Sequence, residues 1–337
     1  MKKITTALCA ILTFAGLLQA QNLPKFSGLM FGDYYYNVQF HDQTQKDVNA
    51  FEYRRIYLTA DYTIADGIWS RFRLESDPTA SNLSNNKLST MVKDAFLDFK
   101  NVGDGDLVLG LQGTWNINMA EGIFGYRSLE KTIQDLHGIS ASRDLGVSIT
   151  QKFSDEISSG FLLGNNTGNN GSLFGQTNSS QARFKSAYLF FQIKPVNQLT
   201  ILLDGQYAGA PSSKYIKTGD LIVNYANSNF GIGVQGFLNA IDHGESNGST
   251  LKRNGISFNG WFALMDNLRL VGRYDSYDPN TTNRSSLANS SQTLIIGALD
   301  WAIRKNVHIM PNIEYTHYAF ANTKDDVVAR VTYFFSF

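Results

Sequence analysis

Apolar and polar residues alternate along most of this chain with a period of two, which is the spacing of a β-strand. Residues 56–64 show the repeating unit. One face carries Ile56, Leu58, Ala60, Tyr62 and Ile64, and the other carries Tyr57, Thr59 and Asp61. Such a strand has one face in an apolar medium and the other in water. The pattern therefore predicts two-faced strands throughout the chain.

The alternation recurs in about sixteen segments, joined by connections that are mostly short and long in turn. The predicted strands cover residues 26–40, 50–64, 68–77, 91–100, 107–115, 143–153, 157–165, 182–194, 198–208, 216–226, 230–240, 254–264, 268–277, 292–303, 307–318 and 326–337. The short connections are 65–67, 154–156, 195–198, 226–229, 265–267 and 304–306, and the long ones include 78–90, 116–142, 165–181, 241–253 and 278–291. The 29 Gly, 16 Tyr and 23 Phe, against six Pro, also favour sheets with tight turns.

An even number of strands, with short turns at one end and long loops at the other, is typical of a transmembrane β-barrel. The closed sheet of a barrel pairs every backbone donor and acceptor, which lets a polar backbone cross lipid. The sequence thus predicts an all-β fold: one antiparallel transmembrane barrel of about 16 strands over residues 21–337. The short turns would be periplasmic and the long loops extracellular, in a bacterial outer membrane.

The last strand supports a barrel over a secreted sandwich or propeller, the alternative that also explains alternating strands. Reading back from the end, every second residue is apolar: Phe337, Phe335, Tyr333, Val331, Ala329 and Val327. A strand that closes a barrel in lipid needs such an outer face. A terminal aromatic is also the form that assembly signals of outer-membrane barrels take. We therefore expect Phe337 to engage the barrel-assembly machinery, and the outer wall to contact membrane lipid and lipopolysaccharide.

Residues 1–20 have the features of a secretory signal peptide. Lys2 and Lys3 precede an apolar stretch that is too short for a membrane-spanning helix, and Ala20 supplies a small residue at the cleavage site. The only cysteine, Cys9, lies within this segment. The mature chain is therefore predicted to contain neither disulfides nor cysteine-bound metal.

The charge of the chain argues against a nucleic-acid partner. Without Lys2 and Lys3, 27 of the 29 basic residues remain against 29 acidic ones, and no basic run is present. The five histidines are dispersed without metal-ligand spacing. We expect no cofactor and no metal.

Four segments resemble the phosphate-selective porin O and P family of bacterial outer membranes. They are FEYRRIYLTADYTIADGIWSRFRLESD (51–77), KDAFLDFK (93–100), LVLGLQGTW (107–115) and SRDLGVSITQKF (142–153). The resemblance implies a sixteen-stranded, trimeric diffusion channel whose third long loop, here residues 116–142, folds into the lumen as a constriction. The chain departs from the family at Thr114-Trp115-Asn116, where relatives tend to have a proline-containing exit. Because acidic residues balance the basic ones, the family name does not identify the solute.

The polar register of the strands supplies the residues expected to line a pore. The first strands contribute Arg55, Asp61, Arg71, Arg73, Glu75, Asp94 and Asp98, and the far wall contributes Arg269, Arg273, Asp300, His308, Glu314 and Arg330. The candidates at the constriction are Glu121, Arg127, Glu130, Lys131 and Asp135. Two interpretations remain for Arg55, Arg71 and Arg73. They form a cationic strip that guides anions, or neighbouring carboxylates neutralise each of them.

The function expected from these features is passive diffusion of small hydrophilic solutes or ions, with a preference for anions or phosphate as one version. Two other classes stay open. A barrel with a closed lumen would serve as an adhesin or anchor. An outer-membrane hydrolase would need a His and a Ser two residues apart on a strand face, whereas His243 and Ser246 in DHGESNGS (242–249) are three apart.

Overall fold

The computed structural model describes residues 23–76, 89–166, 168, 184–210 and 214–337. In these residues sixteen antiparallel strands form one closed barrel, in which consecutive strands pair and β1 pairs with β16. The strands are β1 (Lys25–Gln39), β2 (Asn49–Ala65), β3 (Ile68–Ser76), β4 (Thr90–Phe99), β5 (Leu107–Gly113), β6 (Arg143–Lys152), β7 (Ile157–Gly164), β8 (Ser186–Val196), β9 (Leu199–Ala210), β10 (Lys214–Ala226), β11 (Phe230–Ile241), β12 (Leu251–Met265), β13 (Leu268–Asp278), β14 (Gln292–Arg304), β15 (Val307–Tyr318) and β16 (Asp326–Ser336). The predicted fold class is confirmed. The predicted signal peptide lies outside the described residues.

Burial is inverted relative to a water-soluble protein. On the outer wall, Leu238 is 71% exposed and Ile232 61%, whereas Asp33, which points inward, is fully buried. Large contiguous apolar surfaces are rare on soluble proteins, and charged side chains are rarely buried unless they are paired. The outer wall of this barrel therefore fits a hydrocarbon environment, and a sandwich or propeller with a greasy interior is excluded.

The barrel closes where the chain ends. Phe337 and Gly28 exchange two backbone hydrogen bonds of 3.0 Å, and β16 continues along β1 up to Gln39. Phe335 and Phe337 are exposed on the outer wall, as the alternation predicts. The ring of Phe337 covers Gly28, where an added Cβ would stand 2.6 Å from the ring carbons. A glycine at this position is therefore needed for the terminal ring to lie flat on β1.

The connections differ between the two ends of the barrel. Seven short ones, residues 66–67, 100–106, 153–156, 197–198, 227–229, 266–267 and 305–306, lie at the end where β1 begins and β16 ends. At the other end the intervals between strands are mostly longer, except the one between β9 and β10. Residues 114–142 form the third connection at this end, and we call them loop 3. They contain α1 (Trp115–Phe124) and α2 (Ile133–Leu136), and the 3₁₀ turn Leu287–Asn289 lies between β13 and β14.

The helix α1 also explains the early end of β5. The sequence pattern predicted a strand to residue 115, but β5 stops at Gly113 and the helix begins at Trp115. None of the helices in the described residues is long and apolar enough to cross a membrane.

Candidate functional site: the barrel lumen

Loop 3 starts and ends at one point of the barrel rim. The backbone N–H of Thr114 donates to the carbonyl of Ser142 at 3.2 Å, and the side-chain amide of Asn118 donates to the same carbonyl at 2.8 Å. These bonds close the base of the loop, so that the 29 residues between β5 and β6 leave the wall as a single hairpin-like segment.

The first part of loop 3 packs on the inner wall. Ala120 of α1 lies in an apolar cluster with Phe190, Leu202 and Ile222, whose side chains point inward from β8, β9 and β10. The ring of Trp115 meets that of Phe190 edge-on, with centroids 4.8 Å apart. These inward residues are apolar, although the side chains that face a water-filled lumen are usually polar. They form the surface on which α1 packs.

The middle of loop 3 reaches the far wall. Tyr126 and Leu129 form a second cluster with Val271, Ala298 and Met310 of β13, β14 and β15. Burial raises the pKa of Tyr126 to about 12. Its hydroxyl therefore stays protonated, and it donates to Asp300 at 3.2 Å.

The last part of loop 3 packs between these two contacts. Ile133 and Ile139 cluster with Phe237 and Tyr277. The ring of His137 stacks on that of Tyr277, with centroids 3.7 Å apart and planes 12° apart. Burial, reinforced by the charge of Arg273, lowers the pKa of His137 to about 4, so the imidazole is neutral at ordinary pH.

Loop 3 separates two spaces inside the barrel. One, of about 320 Å³, lies between Leu136 and His137 of the loop and the long-loop ends of β13 to β16. The other, of about 430 Å³, lies between Met119 of α1 and the short turns near Asn101 and Gln151. The loop thus occupies the middle depth of the lumen.

Arg55, Arg71 and Arg73 point into the lumen, as the polar register predicts. Each of them faces a carboxylate. Arg55 lies 2.8 Å from Glu75, and Arg73 lies 3.1 Å from Asp94. Arg71 grips both oxygens of Asp61, at 2.8 and 2.9 Å. Glu75 also binds Lys93, and Asp94 also binds Arg143. The geometry therefore favours ion pairing over a free cationic strip, with one carboxylate shared by two cations at Arg55 and again at Arg73.

The other wall candidates also point inward, and most are paired. Asp98 binds Lys100 at 2.9 Å, Arg330 binds Glu314 at 2.6 Å, and Asp300 binds His308 at 2.7 Å. Arg273 binds Asp275 and donates to the carbonyl of Lys131 in loop 3.

Arg269 is the exception on the wall. It is exposed, and its guanidinium carbon stands 4.1 Å from the ring centre of Trp261. It takes part in none of the ion pairs among the described residues.

The charges of loop 3 meet each other and the wall. Arg127 binds Glu121 at 2.8 Å and lies 3.7 Å from Asp135, while Glu130 stands 3.6 Å from Arg54 and 3.5 Å from Arg330. Burial raises the pKa of Glu130, but the two arginines outweigh it and the net shift is downward. Glu130 is thus held as a carboxylate. Lys131 forms no ion pair within the described part of the chain.

Two inward cations, Arg54 and Lys93, were missed by the alternation. Both follow a period-two pattern that would place them in lipid, but β-bulges turn them inward. The signal in the sequence was the pair of successive charges, Arg54-Arg55 and Lys93-Asp94, since regular alternation would expose one of each pair to hydrocarbon.

Two acidic residues under loop 3 were also missed. Asp204 and Asp220 are direct cross-strand partners on β9 and β10, and they are 4% and 2% exposed. Gln235 donates to Asp220 at 2.9 Å. Among the described residues neither carboxyl has a basic partner. The sequence of the two strands does not show that these residues are buried, because it is loop 3 that covers them.

The residues considered for hydrolysis lie in a loop. His243 donates from Nδ1 to the carbonyl of Gly248 at 3.0 Å, and Ser246 lies in the turn between β11 and β12. Among the described residues there is no cluster of three or more His, Cys, Asp or Glu suited to a metal ion.

Comparison with known proteins gives a likeness in structure only. No protein-family model matches the sequence, and no curated protein matches it. An anion-selective porin from Comamonas acidovorans superposes with a TM-score of 0.69 at 12% identity, covering 94% of this chain and 100% of that one. The outer-membrane channel DcaP of Acinetobacter baumannii gives 0.64 at 10% identity, covering 94% and 98%. The trimer form of OmpT, an outer-membrane protein of Vibrio cholerae, gives 0.63 at 14% identity, covering 94% and 100%.

The match extends over nearly the whole length of each chain. By its architecture, this chain has the fold of the outer-membrane porins.

Proposed function

We propose that this protein is a porin of the bacterial outer membrane, a water-filled channel for passive diffusion of small hydrophilic solutes or ions. The observation that carries the proposal is the division of the barrel wall. Charged side chains, such as those of Arg71, Asp61 and Arg269, line its inside, while its outside is apolar. A barrel of about sixteen strands is wide enough to hold water.

Loop 3 is the proposed constriction. It occupies the middle depth of the lumen and leaves a space on each side. The charges nearest to a passing solute would then include Glu121, Arg127, Glu130, Lys131 and Asp135, with Lys131 as the one outside an ion pair in the described residues. Because four of the five are paired, the constriction is polar but carries little net field.

A preference for anions is assigned to Arg269 and Lys131. A paired arginine presents a dipole to the lumen, whereas an unpaired one presents a full charge. The described residues offer phosphate no group of unpaired cations. We therefore propose weak selectivity for anions and no dedicated phosphate site.

The assembly is proposed to be a homotrimer in lipid and lipopolysaccharide, in keeping with the trimer form of the Vibrio cholerae protein. The exposed Phe337 at the end of β16 is proposed to serve recognition by the barrel-assembly machinery.

The experiment is reconstitution of the purified protein in a planar bilayer. Discrete conductance steps are expected, with a reversal potential displaced toward the anion value under a salt gradient. Competition by phosphate or by a neutral sugar would rank the solutes. An electrically silent bilayer with demonstrably inserted protein would contradict the proposal.

The second candidate is a closed barrel that serves as an anchor or adhesin. The observation in its favour is the broad packing of loop 3, which contacts β8 to β15 through three apolar clusters. The same bilayer experiment separates the two functions, since a closed barrel inserts without conducting.

A further inference from the structure

Arg54 is the extra residue of a β-bulge. In the β1–β2 ladder Phe31 pairs with Arg55 and Gly32 pairs with Tyr53, so Arg54 has no partner across the strand. A bulge places two successive side chains on nearly the same side. Arg54 and Arg55 consequently both enter the lumen, although a regular strand would put one of them in lipid.

The guanidinium of Arg54 joins the wall to loop 3. Its Nε stands 2.7 Å from a carboxylate oxygen of Asp33 on β1. Its Nη2 donates to the carbonyl of Leu129 at 2.8 Å and to that of Ser128, and its Nη1 is 3.6 Å from Glu130. One side chain thus touches three consecutive residues of the loop.

Lys93 is the extra residue of a second bulge. Arg73 pairs with Asp94 and Leu74 pairs with Val92, so Lys93 is left without a cross-strand partner. Its ammonium lies 2.7 Å from Glu75 and donates to the hydroxyl of Ser142 at 3.2 Å. Ser142 is the last residue of loop 3, so this bulge acts at the base of the loop, and that of Arg54 acts at its tip.

We propose that Arg54 and Lys93 are positioning residues that hold loop 3 across the lumen, with Arg54 setting the position of the tip. The proposal deepens the proposed channel function, on which its effect on conductance rests. Without Arg54, the buried carboxylate of Asp33 would lose its ion-pair partner, and Glu130 would keep only Arg330. Breaking a buried pair leaves an uncompensated charge, and like charges repel, so the tip would leave the wall. The base has other bonds, through Thr114 and Asn118, and depends less on Lys93.

The test compares Arg54→Gln with Arg71→Gln, both in a Cys9→Ser, Ser128→Cys background. Arg71 is the matched control: it is also an inward arginine paired to a carboxylate of its own hairpin, but it makes no contact with loop 3. The backbone carbonyl of residue 128, which accepts from Arg54, is kept. The readouts are the rate at which a maleimide labels residue 128 in the folded protein, and the single-channel conductance.

We expect Arg54→Gln to label faster than the parent by about tenfold or more, as a loop segment released from a charged contact would. Its conductance steps should be larger and noisier. Arg71→Gln should label at the parental rate. Lys93→Gln should show a smaller increase than Arg54→Gln. Equal labelling of the Arg54→Gln and Arg71→Gln proteins would overturn the proposal.

Glu130→Gln, which removes the loop side of the same contact, keeps the test decisive if Arg54→Gln does not fold. It should label faster than the parent, and an unchanged rate would again count against the proposal. The labelling does not require conduction. A parent protein that labels slowly but never conducts would refute the channel and leave the role of Arg54 in holding the loop standing.

Discussion

Asp204 on β9 and Asp220 on β10 lie directly opposite each other beneath loop 3, with no basic side chain near either among the described residues. Two carboxyl groups in contact and out of water cannot both ionise without a large electrostatic cost. Because neither carboxyl has a basic partner to offset this cost, the pair should lower the stability of the barrel.

The first prediction concerns this pair. Asp204→Asn should stabilise the barrel by about 1–3 kcal/mol, because it removes one of two buried carboxyl groups that have no basic partner among the described residues. The measurement is the urea midpoint of the barrel in detergent. Asp242→Asn, at an exposed pair with Lys217, is the control and should keep the parental midpoint. An Asp204→Asn protein that is no more stable than the parent would show that the buried pair carries no such cost.

The second prediction concerns the pH dependence of stability. The pKa of His137 is lowered by burial from about 6.5 to about 4. The unfolded chain takes up a proton below the higher value and the folded chain does not, so stability is lost as the pH falls from 6.5 toward 4. His137→Phe retains a ring to stack on Tyr277 and has nothing to protonate. Between these pH values the free energy of unfolding of this variant should decline less than that of the parent, by at most about 3 kcal/mol. The measurement is the urea unfolding midpoint of both proteins at each pH. Parallel declines for the two proteins would show that His137 is protonated equally in both states.

The third prediction concerns charge selectivity. Arg269→Gln should move the reversal potential toward the cation value, because it removes an exposed guanidinium that forms no ion pair among the described residues. Replacing only Arg55, Arg71 or Arg73 would leave the partner carboxylate unpaired. Any change in selectivity could then come from the new negative charge and not from the lost arginine. The informative control is Arg71→Gln combined with Asp61→Asn, which removes one complete pair. This double variant should leave the reversal potential near its parental value. A larger shift in the double variant than in Arg269→Gln would return selectivity to the strip.

The fourth prediction concerns barrel closure. A Cβ at position 28 would stand 2.6 Å from the Phe337 ring and 2.9 Å from the carbonyl of Tyr57. Gly28→Ala should therefore destabilise the barrel by about 1–3 kcal/mol, the usual cost of overpacking. At Gly272, also on the outer wall, an added Cβ meets nothing within 4 Å. Gly272→Ala is the matched control and should leave stability unchanged or slightly higher. The readout is the heat-induced shift in electrophoretic mobility, and equal behaviour of the two variants would exclude a steric role for Phe337.

The strands and the direction of their side chains were predictable from the sequence, because lipid and water impose a period of two on every strand. Leu58, exposed on the outer wall, and Asp61, paired in the lumen, follow this rule. The rule fails at Arg54 and Lys93, because a bulge depends on how two strands pair. In the sequence of one strand, a bulge is visible only as a charged residue at a position that should face lipid. Once that feature is recognised, successive charges in a barrel strand become a signal for a bulge.

The lumen was less predictable than the wall. That Arg71 points inward follows from its own strand, but its neutralisation by Asp61 depends on the register of a hairpin. The contacts of Glu130 with Arg54 and Arg330 join residues far apart in the chain. Alternation contains no information on such contacts. The apolar inward residues Leu202 and Ile222 were the available hint, since only something packed against them would tolerate them in a wet lumen.

The ion cluster around Glu130 includes one arginine from the second strand and one from the last. During insertion, an incomplete barrel that has not yet sealed its first strand to its last lacks the second of these arginines at the right distance. Loop 3 would then be held to the wall on one side only. A nascent barrel would leak more than a finished one, and completion of the seam would itself narrow the hole, without any separate gating event.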